Sequence, residues 1–103
     1  MRDPETLAKV KNILNKIETI APGNSVELRI PPYAAIQCVE GLNHRRGTPP
    51  NVVEMQSQTL FDLVTGEIDW NTAIETGQIQ ASGQRSNLEN IFDLLKVESR
   101  IQK

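Results

Sequence analysis

Between Thr59 and Leu95 the chain punctuates itself with glycine at three points, and that punctuation constrains the fold more than any other feature. Leu60, Leu63 and Val64 fall at helical spacing and stop at Gly66. Ala73 and Ile74 follow Asp69, a residue suited to an N-cap, and stop at Gly77. Ile79 and Ala81 alternate before Gly83, which reads as a short strand. Ser86-Asn87-Leu88-Glu89 then matches a capping box, in which the Ser86 hydroxyl and the Glu89 carboxylate satisfy each other's backbone amides. A helix with Leu88, Ile91, Phe92 and Leu95 on its buried face follows. The segment is helix, helix, strand, helix.

The first half supplies the other strands. Asp3 before Pro4 suits a helix start, because proline gives up an N–H that has no partner in the first turn. Leu7, Val10, Ile13, Leu14, Ile17 and Ile20 form one apolar stripe that ends at Ala21-Pro22-Gly23. Helices are thus expected over residues 4–21 and 87–102. Val26 to Ile30 alternates with period two, placing Val26, Leu28 and Ile30 inward and Glu27 and Arg29 toward water. After Pro31-Pro32, Tyr33 to Glu40 is more apolar and reads as a central strand covered on both faces. Only those prolines separate the two strands, so they should pair antiparallel. Gly41 to Asn51 is a loop by its glycines and prolines, and Val52 to Met55 and Gln78 to Ser82 complete one sheet.

Length and charge bound the function. A chain of 103 residues is expected to form a single domain over 1–103 with one small core. Its formal charge of −2 lacks the strongly basic signature of a nucleic-acid binder, and no apolar run reaches the ~18 residues of a membrane span. No signal-peptide core follows Met1-Arg2-Asp3-Pro4-Glu5, so the expected compartment is the cytoplasm. The single cysteine, Cys38, agrees, since one thiol makes no internal disulfide.

With these elements in order, the chain resembles the sterol carrier protein type two family, in particular its short, stand-alone actinobacterial branch. The resemblance covers almost the whole chain. The general family pattern is met by Glu54, Thr59-Leu60, Leu63 with Gly66, Ala73, Gly77-Gln78-Ile79 and Gly83. The short branch is met by Arg29-Ile30-Pro31-Pro32-Tyr33-Ala34-Ala35-Ile36-Gln37-Cys38-Val39-Glu40-Gly41 and by Arg46-Gly47-Thr48-Pro49-Pro50-Asn51-Val52-Val53-Glu54. What it implies is an α+β fold, a four- to five-stranded, mostly antiparallel sheet with helices on one face. It further implies a hydrophobic cavity between the layers, lipid transfer and no catalysis. An empty cavity of about 400 Å³ would cost roughly 10 kcal/mol, which rivals the stability of a small domain. Burying a sixteen-carbon chain offers about 13 kcal/mol before ordering costs. The chain therefore either holds a ligand or has a small cavity.

Residues with chemistry of their own are few. His44 stands in a loop beside two arginines, with no sequence-adjacent carboxylate to orient it. Cys38 lies mid-strand among apolar neighbours and reads as a buried, inert thiol. No serine sits on a strand-to-helix elbow, and Gly41, Gly47 and Gly66 do not have phosphate-binding spacing, so no catalytic residue, cofactor or metal is expected. Glu40 and Glu54 read as solvated carboxylates at strand ends. Arg45 and Arg46 suit an anionic head group or an acidic partner, or alternatively brace the loop against Glu40 or Glu54.

The leading expectation is a non-enzymatic binder of a lipid or other small hydrophobic ligand. Its walls would be Tyr33, Leu60, Leu63, Trp70, Ile74, Ile79, Ile91, Phe92 and Leu95, where sheet and helices meet. No nucleic acid and no integral membrane segment is expected. The rivals are a protein–protein interaction module that keeps the fold without a tunnel, and an accessory domain associated with a thiol-dependent isomerase.

Overall fold

A computed structural model describes residues 3–41 and 51–101, with side chains not described at 99–101. Helix α1 spans Pro4–Ile20, followed by β1 (Val26–Ile30), β2 (Ala34–Cys38), β3 (Asn51–Met55), α2 (Ser57–Thr65), α3 (Trp70–Glu75), β4 (Ile79–Ser82) and α4 (Glu89–Ile101). The described residues form an α+β arrangement, with four helices and a four-stranded mixed sheet in the order β2-β1-β3-β4. β1 pairs antiparallel with β2, as the Pro31-Pro32 spacing predicts, and β3 antiparallel with β4. The central β1–β3 pairing is parallel, with Leu28 opposite Val53.

Local chemistry sets the boundaries. Asp3 caps α1, its carboxylate accepting from the Thr6 amide at 3.0 Å and the Thr6 hydroxyl at 2.7 Å. α1 ends where the Ala21 amide donates to the Ile17 carbonyl. β2 ends at Val39, whose φ of 65° is costly for a β-branched residue. That residue is held on three sides: its amide donates to Ala21, and its carbonyl accepts from the Ser25 amide and hydroxyl.

Strand alternation sorts the two faces. Val26, Leu28, Ile30, Cys38, Val53, Met55 and Ile79 are buried under the helices with Val10, Leu14, Ile17, Leu60, Leu63, Trp70, Ala73, Leu88, Phe92 and Leu95. The other face carries Glu27, Arg29, Ala35, Gln37, Val52, Glu54, Gln80 and Ser82, none of them buried. There the Arg29 guanidinium pairs with Glu27 and reaches Glu54 at 4.0 Å.

Two expectations are corrected. β2 is an edge strand, not a central one: α1 packs on it, while Ala35 and Gln37 face out and are exposed. Its apolar look came from small alanines, which suit either environment. The capping box does not form. The Ser86 hydroxyl donates to the Gly83 carbonyl at 2.8 Å, and the Glu89 amide donates to the Asn87 side chain at 2.9 Å. The turn after β4 holds Ser86 back, so α4 begins at Glu89.

Candidate functional site

The apolar residues proposed from sequence lie together, but as packing. Leu60, Leu63, Trp70, Ile79, Phe92 and Leu95 are each buried and belong to one continuous core cluster. Trp70 and Phe92 stack with ring centroids 5.9 Å apart and an interplanar angle of 24°. Ile91 is partly buried against this core, and Ile74 is 37% exposed. Tyr33 is likewise partly buried against this core, and with Pro31 and Pro32 it also lines a hollow of about 370 Å³ at the other end of β1 from Ser25. Arg45, Arg46 and His44 lie outside the described residues.

Helix α3 is the slightest part of the helical layer. It has six residues, of which Trp70 and Ala73 are buried, and its neighbours are β4 and α4. Asp69 caps it, accepting from the Thr72 amide at 2.7 Å, a bond that holds the carboxylate below its ordinary value. Gly66 and Gly77 bracket it with φ of 84° and 77°, left-handed turns that side chains resist and glycine permits.

Beside α3 the structure opens. A hollow of about 690 Å³ is lined by Pro31, Pro32, Glu54, Met55, Gln56, Gln58, Thr59, Gly77, Gln78 and Gln80. It lies where β3 leaves the sheet and α2 begins. Four of its side chains are primary amides, each able to donate and accept, and Glu54 is its one charged member. The Thr59 hydroxyl donates to Gln78 Oε1 at 3.4 Å, while Gln78 Nε2 donates to the Thr76 hydroxyl at 3.1 Å. Gln56, at the N-cap of α2, makes no side-chain bond to the helix amides. Such a lining suits neutral polar groups, hydroxyls and esters, better than ions. Sequence reading missed it because polar residues at strand and helix ends read as solvated; the recurrence of glutamine at 56, 58, 78 and 80 is the signal it left.

The opposite end of β3 is closed. Asn51 is buried, its Nδ2 donating to the Ser25 carbonyl at 2.8 Å and its Oδ1 accepting from the Arg85 amide at 2.9 Å. A side chain on Gly83 would meet Asn51 Oδ1 at 2.1 Å, so glycine is what lets the turn after β4 approach. Nearby, burial, with the charge of Glu18 adding to it, pushes the Cys38 thiol up to about 11. At neutral pH it is a protonated, unreactive thiol. Among the described residues no three His, Cys, Asp or Glu side chains are grouped to hold a metal, and no helix is long and apolar enough to cross a membrane.

Comparison with curated proteins finds no match. Among solved structures, the UbiJ-SCP2 ubiquinone synthesis protein superposes with a TM-score of 0.56 over 97% of each chain, at 14% identity. That likeness is one of fold, and it agrees with the order of helices and strands described above. The bacterial SCP ortholog family matches residues 2–94, spanning α1, the whole sheet, α2, α3 and the first half of α4, and the chain belongs to that family.

Proposed function

We propose that this protein is a non-enzymatic carrier of a neutral amphiphile, a lipid or similar hydrophobic ligand, working in the cytoplasm where Cys38 stays reduced. The observation that carries the reading is the glutamine-lined hollow that opens at Gly77 and Gln78, just past the end of α3, the helix whose Trp70 stacks on Phe92 in the core. The polar end of the ligand bonds Gln56, Gln58 and Gln78. Its chain enters between sheet and helices by swinging α3 on Gly66 and Gly77 and displacing Trp70 from Leu60, Leu63, Ile79, Ile91, Phe92 and Leu95. Membership in the SCP ortholog family supports hydrophobic cargo. The packed core supports entry by displacement, since an empty tunnel would cost more than so small a domain can spare.

Trp70 is the only tryptophan, so its emission reports α3 directly. Titration with monopalmitoylglycerol should change that emission saturably, and native mass spectrometry of protein purified from its host should show bound lipid. Absence of both overturns the carrier reading. The filled core then favours the second reading, an interaction module that keeps the fold without a tunnel. Apart from the neutral cargo, Arg45 and Arg46 serve a separate anionic head group or an acidic partner. Arg45→Ala with Arg46→Ala should weaken that contact and move stability by no more than about 0.5 kcal/mol.

A further inference from the structure

Helix α1 presents a second surface, along its borders with α2 and α4. Lys9, Ile13, Lys16 and Ile20 recur at steps of four, three and four, one line along a helix. Two hollows open beside that line. The first, about 290 Å³, lies between α1 and α2, with Ile13, Phe61 and Val64 as its apolar walls and Lys9, Asn12 and Thr65 at its edge. The second, about 190 Å³, lies between α1 and α4, with Ile20 against Lys16 and Glu98. Their α1 residues are centred about six positions apart, roughly 9 Å along the axis, close to the two turns that separate positions i and i+7 of another helix. Beyond the second hollow, Leu94, on the same side of α4 as Glu98, is 56% exposed, and Val97 beside it is 54% exposed.

We infer that this groove docks an amphipathic helix of a partner protein, one that sets large apolar side chains at i and i+7 and acidic side chains beside them. The apolar anchors fill the two hollows, and Leu94 and Val97 cover the far flank. The charge of the edge selects acid. Lys9 and Lys16 make no ion pair among the described residues; Glu5 stands one turn before Lys9, Asp3 lies within its field, and Glu98 shares the second hollow with Lys16. A cationic partner would bring its charge against both lysines. A short lipid tail would fill one hollow and leave the second, with its lysine, unused.

The test uses the full chain and two synthetic 18-residue helical peptides with leucines at i, i+7 and the intervening i+3 and i+4 positions. One carries glutamates beside the leucines; in the other, lysines replace them. By fluorescence anisotropy the acidic peptide should bind in the micromolar range and the basic one at least tenfold more weakly. Lys9→Glu with Lys16→Glu, both on the outer flank, should reverse that preference. Amide shifts on adding the acidic peptide should centre on Ile13, Ile20, Phe61 and Val64. The inference is overturned if neither peptide binds, if both bind alike, or if charge reversal changes nothing. It is equally overturned if the shifts centre on α3 or the sheet, if dodecanoate displaces the peptide, or if sedimentation shows a second copy of the chain already covering the groove. Apart from shifts centred on α3, these outcomes leave the cargo reading untouched, and Trp70 emission tests it separately.

Discussion

Asn51 and Gln56 mark the two ends of β3 with the same functional group, a primary amide, put to opposite uses. At Asn51 the amide is buried, and both its donor and its acceptor are engaged, tying the strand to Ser25 and to the turn that carries Arg85. At the other end Gln56, Gln58, Gln78 and Gln80 stand exposed around a hollow, with Gln78 held only by a long 3.4 Å bond from Thr59 and a bond to Thr76. A buried amide with both partners supplied holds a fold together, because losing either partner strands a polar group away from water. An exposed amide that water can satisfy costs little to reassign, and is available to a ligand. The closed end is structural, and the open end is the one the proposed amphiphile would use.

Four substitutions or conditions press on that contrast. Gly83→Ala should be the most damaging, costing about 3 kcal/mol. It adds a methyl group where Asn51 Oδ1 already stands and forces alanine to a φ of 99°. Urea unfolding would read this as a lower midpoint with an unchanged slope; an unchanged midpoint would mean the closed end is looser than described. Asn51→Ala follows at about 2 kcal/mol, since it strands the buried Ser25 carbonyl while water reaches the Arg85 amide.

Acid should act next, and at the helix starts. Hydrogen bonds from Thr6 to Asp3 and from Thr72 to Asp69 lower both carboxyl values below the ordinary 3.8. A lowered folded value means that the stabilisation is fully present above that ordinary value and is lost as pH falls through the lower one. Circular dichroism should therefore show helix fraying only below about pH 4, and Asp69→Asn, which keeps a capping oxygen but does not titrate, should remove the α3 share. Smallest in stability is the open end: Gln56→Ala with Gln78→Ala should stay within about 0.5 kcal/mol of the parent while weakening amphiphile binding. If that pair melted far earlier instead, the glutamines would be structural and the contrast between the two ends would fail.

Much of this was readable in advance, for identifiable reasons. Gly66, Gly77 and Gly83 mark stops because each sits at positive φ, and Val26 to Ile30 declares its faces because every inward residue is branched and every outward one charged. Tyr33 to Glu40 misled because Ala34 and Ala35 carry no preference between core and edge. Ser86 and Glu89 have the spacing of a reciprocal cap, yet the nearer Gly83 carbonyl takes the serine hydroxyl first. The core residues of the candidate site were legible as apolar. Whether they wall a cavity or fill it depends on how closely α2 and α4 pack, and that distance is set by all their side chains together. Asn51 was not legible because its meaning comes from contacts 26 and 34 residues away, and the four glutamines left only their recurrence, since it is the fold that gathers them around one hollow.

The parallel seam between β1 and β3 divides the sheet into two antiparallel halves made by different routes. β1 with β2 is a hairpin that needs only a short turn, whereas β3 with β4 encloses α2 and α3. Neither half can complete the core face alone, and the pairing that joins them must close a loop running from Ile30 to Asn51. Closure entropy grows only slowly with loop length, but contacts between distant positions govern how fast a chain finds its fold. Partners stand 25 positions apart across the seam and 24 to 30 apart between β3 and β4, so both pairings are expected to form after the β1–β2 hairpin. Lengthening the Gly41 to Asn51 connection should slow refolding while leaving the unfolding rate nearly unchanged, and a newly made chain exposes the inner faces of both halves until the seam shuts.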